Sequence, residues 1–173
     1  DVRTPRLSWT LAGGGEKAVQ TAYRILVASR RESLDRDTGD LWDSGRVESS
    51  NSLLIPFDAA PLESGDECWW KVMAWDGDGN PTAYSEPARW TMGLLTGGDW
   101  KASWISMERD HAAFTTTPGP PAVFFRRGFT VDGTVVRATI YATSRGLYEL
   151  HLNGRKVGDA VFTPGWTDYG TRI

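Results

Sequence analysis

The sequence predicts an all-β protein built as two consecutive sandwich-like units, and three observations lead there. Residues 67–75 (Glu-Cys-Trp-Trp-Lys-Val-Met-Ala-Trp) run without Gly or Pro and end in Asp76-Gly77-Asp78-Gly79-Asn80, which has the composition of a tight turn. About seven short runs of strand character, separated by turn residues at intervals of about 8–12, fill residues 1–93. A second set begins at Ala122 and contains Asn153-Gly154 between Leu152 and Arg155, the strongest short hairpin signal.

In a strand, alternate side chains share a face, so residues 67–75 place Cys68, Trp70, Val72 and Ala74 on one side and Trp69, Lys71, Met73 and Trp75 on the other. Both faces are largely apolar. The expectation is a central strand with a core beneath it and another body over its back. Trp69, Met73 and Trp75 are therefore candidates for a domain interface, against the second β-domain or a neighbouring strand.

The other elements follow in order. Leu7, Trp9 and Leu11 alternate on one face of a first strand, which Gly13-Gly14-Gly15 breaks. The continuation Glu16-Lys17-Ala18 is not the Gly-Lys-Ser/Thr of a phosphate loop. Residues 20–29 set Tyr23, Ile25 and Val27 against Arg24, Leu26 and Ala28, a second central strand. Residues 30–38 are charged around Leu34 and read as a loop with one helical turn. Short strands are expected at residues 41–45 and at 52–56, where Pro56 restricts the second to an edge or terminus. Leu62 to Asp66 turns the chain into the central strand, and residues 84–92 close the unit. Residues 94–121 read as a linker with one short strand at 100–105; its Thr-Thr-Thr-Pro-Gly-Pro-Pro segment is loop chemistry. Residues 122–131, 135–142 and 146–152 are then expected as strands, with residues 155–157 completing the hairpin. Residues 163–169 form a turn-rich stretch with two aromatics.

The bulk properties exclude several classes. The 173 residues suit one large or two small domains. A net charge of -3 and a pI near 5.4 give no footprint for nucleic acid. No apolar run approaches the roughly 20 residues of a membrane helix. The single Cys68 precludes an intrachain disulfide framework and carries no information on compartment. Nine tryptophans point first to core packing, and also to the sugar-stacking surfaces and interfaces where aromatics gather. The start at Asp1 and the stop at Ile173, directly after a strand connection, suggest an internal fragment or part of a longer chain.

Trp9, then Tyr23-Arg24-Ile25, then Leu62 six residues before Cys68, then Trp70-Lys71-Val72-Met73-Ala74-Trp75-Asp76 resemble a fibronectin type III module, an immunoglobulin-like sandwich. One departure stands out. Cys68 occupies the position where such modules carry the tyrosine of the corner motif, so that hydroxyl anchor is missing, although a buried Cys packs as an apolar residue.

A second resemblance covers nearly the whole chain. Residues 148–159 (Tyr-Glu-Leu-His-Leu-Asn-Gly-Arg-Lys-Val-Gly-Asp) and Pro164-Gly165-Trp166-Thr167-Asp168-Tyr169, with Trp104-Ile105 and Leu41-Trp42-Asp43-Ser44-Gly45, are similar to the amino-terminal region of bacterial α-L-rhamnosidases. That resemblance implies a fibronectin-like module over residues 1–93 and the truncated start of a jelly-roll-like β-sandwich over 122–173. It implies a parent chain that removes terminal α-L-rhamnose with inversion, using carboxylates of a downstream (α/α)6 barrel as acid and base. The implied partners are that catalytic domain and rhamnose-containing glycans, with no nucleic acid, membrane or cofactor. No catalytic residue is carried over, because the barrel lies outside these residues, and the fragment alone is expected to be inactive. Two other readings stay open: the front of a different multi-domain glycosidase, and a fibronectin-like carbohydrate-binding or adhesion module.

Chemistry within the chain has few candidates. Asp40 and Asp43, or Glu63, Asp66 and Glu67, could form a carboxylate pair, but acidic residues beside turns are ordinarily solvated. Asp76 opens what could be a calcium loop, yet Pro81 and Pro87 stand where the turn Gly and the bidentate Glu belong. His111, His151 and Cys68 make no credible transition-metal set. Trp166, Asp168 and Tyr169 combine an aromatic face with a hydrogen-bonding carboxylate, which suits a sugar. They are the candidate carbohydrate contact.

Overall fold

The computed structural model describes residues 2–13, 19–107 and 122–171. The readings placed on Gly14 and Gly15 of the glycine run, Glu16 to Ala18, His111 and the Pro-rich part of the linker lie outside the described residues. The chain divides into two compact units, Asp1–Ser103 and Trp104–Ile173. Apart from one helical turn (α1, Arg31–Leu34) and a 3-10 turn at Gly97–Asp99, the described elements are antiparallel strands.

In the first unit, β1 (Arg6–Leu7) pairs with β5 (Ile55–Pro56) as one layer. The other layer is the sheet β3-β2-β6-β7, formed by β3 (Trp42–Asp43), β2 (Ala22–Ala28), β6 (Glu67–Trp75) and β7 (Ala88–Thr91), with β4 (Val47–Glu48) also on β2. β2 and β6 pair along seven residues, from Ala22 opposite Trp75 to Ala28 opposite Trp69. Two strands with apolar side chains on both faces need cover on both sides, and the alternation supplies two clusters. Tyr23, Ile25, Val27, Cys68 and Val72 face Leu7, Ile55, Phe57 and Leu62 of the opposite layer. Trp42 and Trp90 meet Phe57 edge-on, with centroids 5.5 and 6.4 Å apart, the arrangement that aromatic quadrupoles favour. On the other face Leu26 and Ala28 pack under Leu34 of α1, with Trp69 and Tyr84 at the margin.

Lys71 shows why an outward position can still be buried. Its ammonium donates to the carbonyl of Leu34 and to Asp37, and it sits 4.3 Å from the Tyr84 ring centroid. Those partners replace the water that burial removes.

Two expected strands are interrupted by single-residue bulges. Between β3 and β4 the register against β2 shifts by one residue at Ser44-Gly45-Arg46. Ser44 stays bonded to both backbone groups of Ile25, and Gly45 takes a φ of +61°. The sequence reading ended its strand at Gly45 and missed β4. The expected strand at residues 52–56 shortens to β5, because Leu53 and Leu54 form the second bulge.

The missing corner tyrosine is replaced by polar groups of the turn before β6. Asp66 Oδ2 accepts from the Glu63 amide at 2.7 Å. The Ser64 hydroxyl accepts from Leu95 N and donates to Asp99 at 2.6 Å. That donation, followed by those of Thr96, holds the Asp99 carboxyl below its usual range. Cys68 is fully buried opposite Trp90, and burial first, with nearby Asp66, Asp40 and Glu67, pushes its thiol up to about 11.

Two expectations are corrected. Residues 100–105 form no strand among the described residues: the chain leaves the 3-10 turn through an extended Trp100 and joins no ladder, with Trp104 and Ile105 exposed. In the second unit, residues 122–131 and 135–142 join no ladder among the described residues, and the run at 146–152 reduces to β8 (His151–Leu152), paired with β9 (Arg155–Lys156). Strand backbone is stable only when its N–H and C=O groups meet a neighbour and one face meets another layer. The Asn153-Gly154 turn, with φ of 50° and 79°, supplies the neighbour locally for β8 and β9. Phe124 and Val136, 96% and 95% exposed, have no such cover.

Candidate functional site

The stretch that carried the sugar-contact expectation is one turn of the second unit. Tyr169 is half-buried, and its hydroxyl accepts from the Gly146 amide, 23 residues upstream, at 2.6 Å. Trp166 stands edge-to-face against it, centroids 6.3 Å apart at 62°, and is 80% exposed. Asp168 closes the turn by accepting from Gly170 N through Oδ1 and from Thr171 N through its carbonyl. The three expected residues thus share one turn, with a broad apolar ring and a solvent-facing carboxylate on it. Such a surface can stack on the C–H face of a sugar and accept from its hydroxyls. Its three residues supply one carboxylate, where glycoside hydrolysis uses two.

A neighbouring constellation was not legible in sequence. Glu149 takes Nε2 of His151 at 2.6 Å and Nζ of Lys156 at 3.0 Å on its two oxygens. His151, then Lys156, holds the Glu149 carboxyl below its usual range. The hairpin register creates this cluster by placing His151 opposite Lys156. Among the described residues no group of three acidic, His or Cys side chains could hold a metal ion.

In the first unit, Trp69, Met73 and Trp75 are half-buried on the outer face of β6. The guanidiniums of Arg31 and Arg89 lie 5.8 and 5.7 Å from Trp69, and that of Arg46 lies 4.8 Å from Trp75. Much of this aromatic surface therefore already meets cations from the same unit.

Four of the five carboxylates weighed as acid–base candidates, Asp40, Asp43, Asp66 and Glu67, are engaged in local structure, as is Asp76 of the calcium-loop reading. Asp40 accepts from the amide and hydroxyl of Ser29, Glu67 pairs with Arg89, and Asp76 Oδ1 accepts from Asp78 N and Asn80 N in the turn after β6. Asp43 takes Arg24 in a two-point bond at 2.9 and 2.6 Å. Arg24, with the Gly45 amide, holds the Asp43 carboxyl below its usual range. A depressed folded-state value gives stability that is present above the unfolded value near 4 and lost as pH falls through the lowered one. Both partners are over a third exposed, so the pair contributes at most about 1 kcal/mol. Arg24→Gln should cost about 0.5–1 kcal/mol in urea denaturation at pH 7 and less at pH 3. An equal cost at both would show that Arg24 acts through packing alone.

Residues 1–96 match the model of the Rha78A-like, N-terminal immunoglobulin domain, and residues 133–173 that of the alpha-L-rhamnosidase N-terminal domain. An alpha-L-rhamnosidase of Formosa agariphila is 34% identical over 182 residues, spanning 96% of this chain and 19% of the relative. The alpha-L-rhamnosidase of Streptomyces avermitilis complexed with L-rhamnose superposes with a TM-score of 0.59 at 39% identity, over 62% of this chain and 10% of that one. That of Dictyoglumus thermophilum gives 0.71 at 27% identity, over 96% and 20%. The chain spans 18 to 19% of the length of the first curated relatives it matches.

Proposed function

This chain belongs to the Rha78A-like N-terminal immunoglobulin-domain family, and from that membership we propose that it is the non-catalytic amino-terminal β region of an α-L-rhamnosidase. The observation that carries the reading is the order of the two family matches, 1–96 and then 133–173, along one chain. Residues 1–93 are the fibronectin-like module, 94–121 the linker, and 122–173 the start of the jelly-roll-like domain. The parent removes terminal α-L-rhamnose with inversion, by carboxylates of an (α/α)6 domain elsewhere in the same chain. These residues act as its scaffold, and Trp69, Met73 and Trp75 face a neighbouring domain.

Trp166, Asp168 and Tyr169 contribute a contact to rhamnose-containing glycans. The pinned Tyr169 and the 80% exposed Trp166 support that role, and one relative is a complex with L-rhamnose. The test has two arms. The full-length protein should release the aryl group from an aryl α-L-rhamnoside while residues 1–173 release none; turnover by residues 1–173 would reverse the division of labour. In calorimetry of residues 1–173 with L-rhamnose, Trp166→Ala should abolish the heat, and equal heats would remove the sugar contact.

A further inference from the structure

In the first unit the apolar side chains of β2 and β6 are buried or half-buried, yet two adjacent leucines between β4 and β5 are exposed: Leu53 is 63% and Leu54 59% exposed. The backbone imposes this exposure. β1 and β5 set Arg6 opposite Pro56 and Leu7 opposite Ile55, a register that would put Trp9 opposite Leu53. The Trp9 amide instead donates to the carbonyl of Ser52 at 3.0 Å, one residue out of step. The extra residue is accommodated by Leu54 at a φ of 54°, a conformation that glycine adopts freely and leucine only under strain. The bulge is pinned. Ser8 Oγ accepts from Leu54 N at 2.9 Å and Asn51 Oδ1 from Leu53 N at 3.1 Å. The buried Gln20 donates to the carbonyls of Ser49 and Asn51 while accepting from the Trp9 indole.

We propose that the Leu53-Leu54 bulge is a docking knob that seats in an apolar recess on the catalytic body of the same polypeptide. The inference rests on the reading of these residues as the front of an α-L-rhamnosidase. Bulges re-aim side chains, and strain held by a fixed hydrogen-bond frame marks a position kept for a contact. The size of the knob selects the occupant. Two leucines fall far below the roughly 1,000 Å² that a free partner or a second copy needs. A body tethered in the same chain is present at an effective concentration of order millimolar, where a small apolar contact suffices. The relatives have the necessary chain, since the matched region covers only 18 to 19% of their length.

The test uses full-length protein carrying the photo-reactive residue p-benzoylphenylalanine at Leu53, with a second preparation labelled at Asp78, in the exposed turn after β6. After illumination, the Leu53 label should give an intramolecular cross-link to a peptide of the catalytic domain, downstream of the complete second β-domain, mapped by mass spectrometry, and the Asp78 label should not. Three results would overturn the docking: a cross-linked dimer, links confined to the two β-domains, or an equal downstream yield from Asp78. Aryl α-L-rhamnoside hydrolysis by the same preparations separates the two readings. Activity without the Leu53 cross-link removes the docking alone, and the cross-link in an inactive protein removes the rhamnosidase reading alone.

Discussion

Ile25→Ala should lower the unfolding free energy of the first unit by about 3–4 kcal/mol, within the range for emptying a fully buried aliphatic site. Ile25 is completely buried in the middle of β2, opposite Val72 of β6 and beneath the layer of Leu7, Ile55, Phe57 and Leu62. A cavity there is bounded by the sheet on one side and by a packed layer on the other, so little can collapse into it. Leu26 is equally buried on the opposite face, but its cover is only the single helical turn at Leu34 with Trp69 and Tyr84 at the margin. That cover can settle inward, and Leu26→Ala should cost about 2 kcal/mol, near the low end of the same range. Urea denaturation followed by tryptophan fluorescence measures both. A larger loss for Leu26 would mean that the outer cluster, rather than the space between the layers, holds the unit together.

The two faces of β2 and β6 are legible in the alternation of the sequence. Alternation put Tyr23, Ile25 and Val27 on one face of residues 20–29, and Cys68, Trp70, Val72 and Ala74 on one face of 67–75; the structure joins all of these but Ala74 in one cluster, with Trp70 at its margin. The Asn153-Gly154 hairpin was equally visible, because a two-residue turn is specified by its own residues. What escaped the sequence depends on groups brought together only by the fold. Lys71 reads as a solvated residue until Leu34 and Asp37 are placed beside it. The bulges at Ser44-Gly45-Arg46 and Leu53-Leu54 leave the residue pattern unchanged and shift only the register. For the candidate contact, the aromatic and acidic residues of the 164–169 turn could be named from their chemistry. The bond that holds Tyr169, to an amide at Gly146, carries no local signal. The expected strands at 122–131 and 135–142 had the right composition, but composition specifies neither a ladder partner nor a covering layer.

Gly39 is the position where the smallest chemical change should have one of the largest effects. A β-carbon there would lie 2.2 Å from the Trp42 carbonyl oxygen, 3.0 Å from its carbon and 3.2 Å from the Val27 nitrogen. All three are backbone atoms at the point where β3 joins β2 through the Val27–Trp42 pair, so no side-chain rotation can relieve the overlap. Nor can the loop slide away cheaply. Leu41 N donates to the Val27 carbonyl, and the Asp40 carboxylate holds both the amide and the hydroxyl of Ser29. Gly39→Ala must therefore distort the ladder or break those bonds, and should cost about 3 kcal/mol, the upper part of the usual range for overpacking. Gly77→Ala supplies the contrast, because nothing lies within 4 Å of a β-carbon there and the backbone is not left-handed. That substitution should be neutral or slightly stabilising, through the narrower unfolded ensemble. Both follow from denaturation midpoints measured on one preparation. Equal midpoints would mean that the 37–41 loop yields without disturbing β2, and that the close approach at Gly39 is incidental to the stability of the sheet.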